Sequence, residues 1–164
     1  MSFTLPDAVA TERLGAALAR TCPWNSALSR AIYLQGELGA GKTTLVRGLL
    51  RALGVTGAVR SPSYALFEPY TVAAGTVLHV DLYRVRGAAE TEALGLRDEF
   101  RGGALVLVEW PERAGGALPV PDVQLTLRTQ GDCRVADLLG SSAAGAAWIA
   151  AAAVLFETDI RHAI

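Results

Sequence analysis

The sequence predicts an α/β fold, a mainly parallel open sheet flanked by helices with a late pair of strands, and three observations support this. Short β-rich runs alternate with helical periodicity along most of the 164 residues, the order that builds parallel sheets from strand–helix–strand units. A glycine-rich stretch, "QGELGAGKTT" at 35–44, falls between a predicted strand and a predicted helix. A continuous apolar run, "ALVLVEW", closes on a carboxylate, as suits a central strand covered on both faces.

The elements follow in chain order. From Asp7 to Arg20 the apolar residues Val9, Leu14, Ala17 and Leu18 recur at helical spacing, so the chain opens with a helix. "AIYLQ" is a short strand ending at Gly36, and "KTTLVRGLLRALG" is a helix stopped by Gly54. "SYALFEPY" and "TVLHVDLYR" are β-rich and can pair across the "TVAAGT" turn. "AAETEALGLRDEF" reads as one helix, and after it comes the apolar strand that ends in Glu109. "VQLTLR" and "CRVADL" form the late strand pair, and "AAGAAWIAAAAVLF", Ala143 to Phe156, is a packed C-terminal helix, shorter than the roughly 20 residues a bilayer requires.

Composition narrows the class. The length fits one domain spanning 1–164, and 51% hydrophobic residues are ample for a core. Fifteen basic and sixteen acidic residues give a net charge of −1, which supplies no general pull toward nucleic acid or anionic lipid. Cys22 and Cys133 lie far apart with no CxxC pair, so neither a disulfide framework nor a zinc site is indicated, and unpaired thiols fit a reducing compartment. "MSFTLPDAVATERLG" lacks the basic start and apolar stretch of a signal peptide, so the chain reads as cytoplasmic.

The glycine-rich stretch carries the chemistry. Gly36, Gly41, Lys42 and Thr43 fit G-x-x-x-x-G-K-[ST], the phosphate-binding loop of P-loop NTPases. Its glycines permit positive φ and let backbone N–H groups point at phosphates, with Gly39 a third permissive position. Lys42 would bridge the outer phosphates and Thr43 would ligate Mg²⁺. Lys42 is also the single lysine beside fourteen arginines, as expected where a compact ammonium is needed and a wide planar fork does not serve. A second carboxylate-bearing strand must complete the metal site. Asp81 and Glu109, each closing a predicted strand, are the two candidates, and plain surface caps are the alternative for both. A guanine-reading N/T-K-x-D motif is excluded because the only lysine is committed to phosphate.

Several segments together resemble one family, the bacterial TsaE ATPases, formerly called YjeE, which assist in making threonylcarbamoyladenosine on tRNA beside the anticodon. "GELGAGKTTLVRG", "SPSYALFEPY", "HVDLYR", "EALGLRDEF" and "LVEWPER" occur in that order, with "TERLGAALA" upstream. The resemblance implies that Glu37, Leu38, Gly39, Ala40, Gly41, Lys42, Thr43 and Thr44 bind ATP phosphates. It implies that Thr43 and Glu109 hold Mg²⁺ with Asp81 close by, so that Lys42, Asp81 and Glu109 are the catalytic set. Thr11, Trp110 and Arg134 match family positions near the nucleotide, and Ser61 to Ser63 match a switch-like loop. His79 reads instead as a hydrogen-bonded core histidine. TsaD and TsaB are the implied partners, tRNA is met only through their complex, and the protein alone is expected to be a monomer. Beyond about residue 140 the family pattern thins.

Two other classes stay open on the residues themselves: a small-molecule P-loop kinase, and a module using ATP only as a conformational switch. A kinase typically carries an arginine-rich lid, and the nearest approaches are Arg84 with Arg86 and Arg97 with Arg101.

Overall fold

The structure is a computed structural model and describes residues 1–24, 27–100 and 102–161; Arg101 lies outside them. Seven strands form one sheet in the order β1-β7-β6-β2-β5-β4-β3, where β1 is Ser2–Leu5, β2 Arg30–Gln35, β3 Phe67–Val72, β4 Gly75–Asp81, β5 Leu105–Glu109, β6 Val123–Gln130 and β7 Cys133–Gly140. The four central strands, β6, β2, β5 and β4, run parallel. The flanking pairs β3–β4, β6–β7 and β1–β7 are antiparallel. β1, too short for a readable alternation, is an edge strand not expected from the sequence.

Helices cover both faces. On one side lie α1 (Ala8–Arg20), α2 (Lys42–Ala52) and α5 (Ala143–Arg161), which pack on Ile32, Leu34, Leu105, Leu107 and Leu125. On the other, α4 (Leu96–Glu99) and a 3₁₀ turn at Pro111–Ala114 pack with Tyr33, Leu78, Val80, Val106 and Val108, and α3 (Ala88–Ala93) lies against that turn and α4. β5 is buried at every position, which is why its sequence is a continuous apolar run.

Local chemistry sets the boundaries. Asp7 caps α1, its carboxylate accepting the Ala10 N–H at 2.7 Å. The stretch read as one helix, "AAETEALGLRDEF", breaks into α3 and α4 because Gly95 adopts the left-handed conformation at φ 67°. "SYAL" is not strand: the Leu66 N–H donates to the Pro62 carbonyl and Leu66 has φ 69°, so a tight turn precedes β3. α5 runs on to Arg161, and by length and composition alone it could cross a membrane. Its buried face argues for a core helix instead, because Trp148, Ile149, Ala152 and Phe156 pack into the main core and the Trp148 Nε1–H donates to the Leu18 carbonyl at 3.0 Å.

Candidate functional site

The loop between β2 and α2 has the backbone its glycines predict. Gly36, Gly39 and Gly41 have φ of 137°, 81° and 107°, a region closed to most side chains. Gly36 also passes against β6, where a Cβ would lie 2.3 Å from the Leu127 carbonyl oxygen. α2 starts directly after Gly41, which offers no side-chain cap. Its first amides are therefore free for an anion.

Lys42 lies in the first turn and is 5% exposed. Its ammonium donates to the carbonyls of Gly36 (2.6 Å) and Glu37 (2.9 Å) and sits 3.8 Å from the centroid of the Trp110 ring. Burial lowers its pKa below the ordinary lysine value, and the carboxylates of Glu109, Glu112 and Asp81 offset only part of that. Trp110 itself has φ 60°, a left-handed conformation that costs a non-glycine residue about 1–2 kcal/mol. The turn that follows β5 thus carries strain while it presents the ring to Lys42.

The two carboxylates are neighbours across parallel strands, since the register pairs Asp81 with Glu109. Both are buried, so neither is a solvated strand cap. The Thr43 hydroxyl lies 2.9 and 3.1 Å from the two Glu109 oxygens and donates to them. Asp81 accepts from the Ser61 hydroxyl and from the Tyr83 N–H at 2.9 Å. One acid therefore faces the phosphate loop and the other ties down the 61–66 turn. Hydroxyl and carboxylate oxygens converging beside the loop are hard donors of the kind Mg²⁺ takes, one or two from the protein and the rest from phosphate and water. No cluster of three or more His, Cys, Asp or Glu side chains that could cage a metal occurs among the described residues.

A cleft of about 410 Å³ collects most of the expected residues: Leu38, Gly39, Gly41, Lys42, Thr43, Thr44, Asp81, Glu109 and Trp110, with Ser61, Ser63, Tyr83 and Arg84. Thr11 and Arg134 flank the loop from its other side, because a Cβ on Gly41 would meet Arg134 at 3.6 Å and the Thr11 methyl at 3.7 Å. The Thr11 hydroxyl is spent on the Asp7 carbonyl at 3.0 Å. Glu37 and Ala40 border a separate cleft of about 290 Å³ with Gly36 and Arg128. The Glu37 carbonyl, rather than its carboxylate, serves Lys42. His79 is the hydrogen-bonded core histidine expected from the sequence, and its partner lies in the site: its Nε2 is 2.8 Å from Glu109 Oε1. It lies two residues before Asp81 and so on the same face of β4.

A parallel sheet whose central strand runs through a left-handed glycine loop into a helix, with a strand-end carboxylate on that helix's threonine, defines a P-loop NTPase fold. The crystal structure of Bacillus subtilis YdiB has this fold, with a TM-score of 0.73 and 24% identity over 97% of this chain and 95% of that one. The family model of the threonylcarbamoyl adenosine biosynthesis protein TsaE matches residues 5–136, and the chain belongs to that family. Its relatives include the tRNA threonylcarbamoyladenosine biosynthesis proteins TsaE of Haemophilus influenzae and of Synechocystis. The first is 41% identical over 114 residues, 70% of this chain and 72% of the relative. The second is 42% identical over 117 residues, 69% and 71%.

Proposed function

We propose that the protein is a Mg²⁺-dependent ATPase required for threonylcarbamoylation of the tRNA adenosine next to the anticodon, acting with TsaD and TsaB to permit repeated turnover. The observation that carries the ATPase reading is the Thr43 hydroxyl on the buried Glu109 carboxylate at the foot of a loop that holds the chain's only lysine. Membership of the TsaE family supports the tRNA-modification role. The same reading takes residues 1–164 as one cytoplasmic domain, monomeric when alone.

In this reading the loop amides from Glu37 to Thr44 and the start of α2 hold the phosphates. Lys42 exchanges its contacts with the Gly36 and Glu37 carbonyls for phosphate oxygens. Thr43 and Glu109 hold Mg²⁺, with Asp81 as the adjoining acid. Held there by Thr43 and Glu109, the metal would supply neutralisation of charge developing on the phosphoryl oxygens. Trp110 walls one side of Lys42 and keeps water from it. Thr11 and Arg134, flanking Gly41, stand where a nucleoside attached to the held phosphates can reach.

Positioning and charge supply most of the acceleration in such reactions. Arg84 lines the cleft and stacks over Tyr64 at 4.1 Å. With that arginine engaged elsewhere, hydrolysis by the isolated protein is slow, and TsaD with TsaB accelerates it by repositioning the Ser61 to Ser63 segment that lines the cleft. Phosphate release from Mg²⁺-ATP, alone and with both partners, tests this. Release that rises with partners and vanishes in Lys42→Ala supports the reading. Robust turnover alone, or turnover indifferent to Lys42→Ala, defeats it.

A further inference from the structure

We propose that His79 is a positioning residue that aims the Glu109 carboxylate at the metal-binding threonine; this rests on the Mg²⁺–ATP reading above. His79 is completely buried on β4, and its Nε2 lies 2.8 Å from Glu109 Oε1. A carboxylate accepts, so Nε2 carries the donating hydrogen. The opposite ring nitrogen, Nδ1, is buried and has no hydrogen-bond partner among the described residues. A core histidine held for packing would satisfy both nitrogens or give way to an aliphatic side chain, as Val77 has done at the same-face position just before it. Here a single bond accounts for the ring, and that bond ends on Glu109.

The parallel register gives this bond its leverage. His79 faces Leu107 across the strand pair, one same-face step before Glu109, so the ring reaches forward to the carboxylate from the adjacent strand. Glu109 Oε1 then receives hydrogens from two elements, from Thr43 on α2 at 2.9 Å and from His79 on β4 at 2.8 Å. A carboxylate held by Thr43 alone could swing with that side chain. Anchored from β4 as well as from α2, it keeps one orientation when the Thr43 oxygen turns its lone pair to a cation. Ligands of metals are commonly fixed by such outer partners, whose loss lowers metal affinity about 10- to 100-fold.

The test is Mg²⁺ titration, starting in EDTA, of the binding of a fluorescent ATP analogue to the full chain, with melting temperature recorded for each variant. His79→Leu should raise half-saturating Mg²⁺ about tenfold or more and leave binding in EDTA unchanged. His79→Gln, whose amide can occupy the Nε2 position, should restore most of the wild-type response. His79→Asn keeps a polar group but falls short of Glu109, and should behave like His79→Leu. It also serves should the leucine variant not fold. Wild-type Mg²⁺ dependence in His79→Asn, or equal losses with and without Mg²⁺ in all three variants, overturns the inference. A wild-type protein indifferent to Mg²⁺ defeats the underlying ATPase reading instead.

Discussion

Replacing Gly48 by alanine should destabilise the protein even though alanine is the better helix former. Gly48 lies inside α2, where exchanging glycine for alanine ordinarily gains about 1 kcal/mol. Here the added Cβ would lie 2.1 Å from the Glu12 carbonyl oxygen and 2.5 Å from the Glu12 Cα. These are backbone atoms of α1 and cannot rotate away. Gly15 makes the reciprocal approach, its Cβ position lying 2.1 Å from the Leu45 carbonyl oxygen. The two helices therefore touch backbone to backbone, and ordinary contact distance requires them to part by more than about 1 Å. Overpacking of this kind costs about 1–3 kcal/mol, at the upper end when backbone must move. After the propensity gain a net loss of about 1–2 kcal/mol remains, a fall of roughly 2–8 °C in melting temperature for a chain of this size. The same movement draws Thr11 away from the Gly41 end of the loop, so nucleotide affinity should fall too. Calorimetric melting against Gly102→Ala, whose Cβ would meet nothing, is the assay. A Gly48→Ala protein that melts at or above wild type would refute the close-crossing account.

Two further outcomes follow from the site. Glu109→Gln keeps the shape of the side chain but turns an amide toward donors from Thr43 and His79; partner-stimulated phosphate release should fall by about 10²-fold or more, while nucleotide binding in EDTA persists. For Lys42, burial disfavours the ammonium in the free protein, whereas a bound phosphate favours it. Between the lowered free value and the higher value in the complex, binding takes up a proton, so affinity drops about tenfold per pH unit as pH rises and levels off below that window. Calorimetry in alkaline buffers of different ionisation heat measures the uptake, and binding without proton exchange there contradicts the assignment.

The parts of the fold that were legible in the sequence are those where one residue type has one physical use. Gly36, Gly41 and Lys42 announce a phosphate loop because few other arrangements need that spacing, and β5 announces a central strand because a two-sided core admits no polar face. The carboxylates at Asp81 and Glu109 were visible as strand ends, yet their pairing depends on register between β4 and β5, which local pattern does not encode. Other features required tertiary context. Gly95 sits inside a convincing helical periodicity and breaks it only by taking positive φ, while Tyr64 and Leu66 have strand-like chemistry in a turn closed by Pro62 and tied to Asp81 through Ser61. Trp110 follows the strand-end carboxylate in the sequence, but nothing local predicts a left-handed tryptophan over a lysine. His79 looked like a core residue because it is one; its bond to Glu109 crosses strands and appears only once the sheet is assembled.

The most direct measurement of the central claim is multiple-turnover threonylcarbamoylation of tRNA reconstituted with TsaD, TsaB and Mg²⁺-ATP, comparing wild type with Lys42→Ala. Many modified tRNAs per complex are expected with the wild-type protein, and no repeated turnover with Lys42→Ala or with the protein omitted. Repeated turnover that proceeds equally well in all three reactions would contradict it.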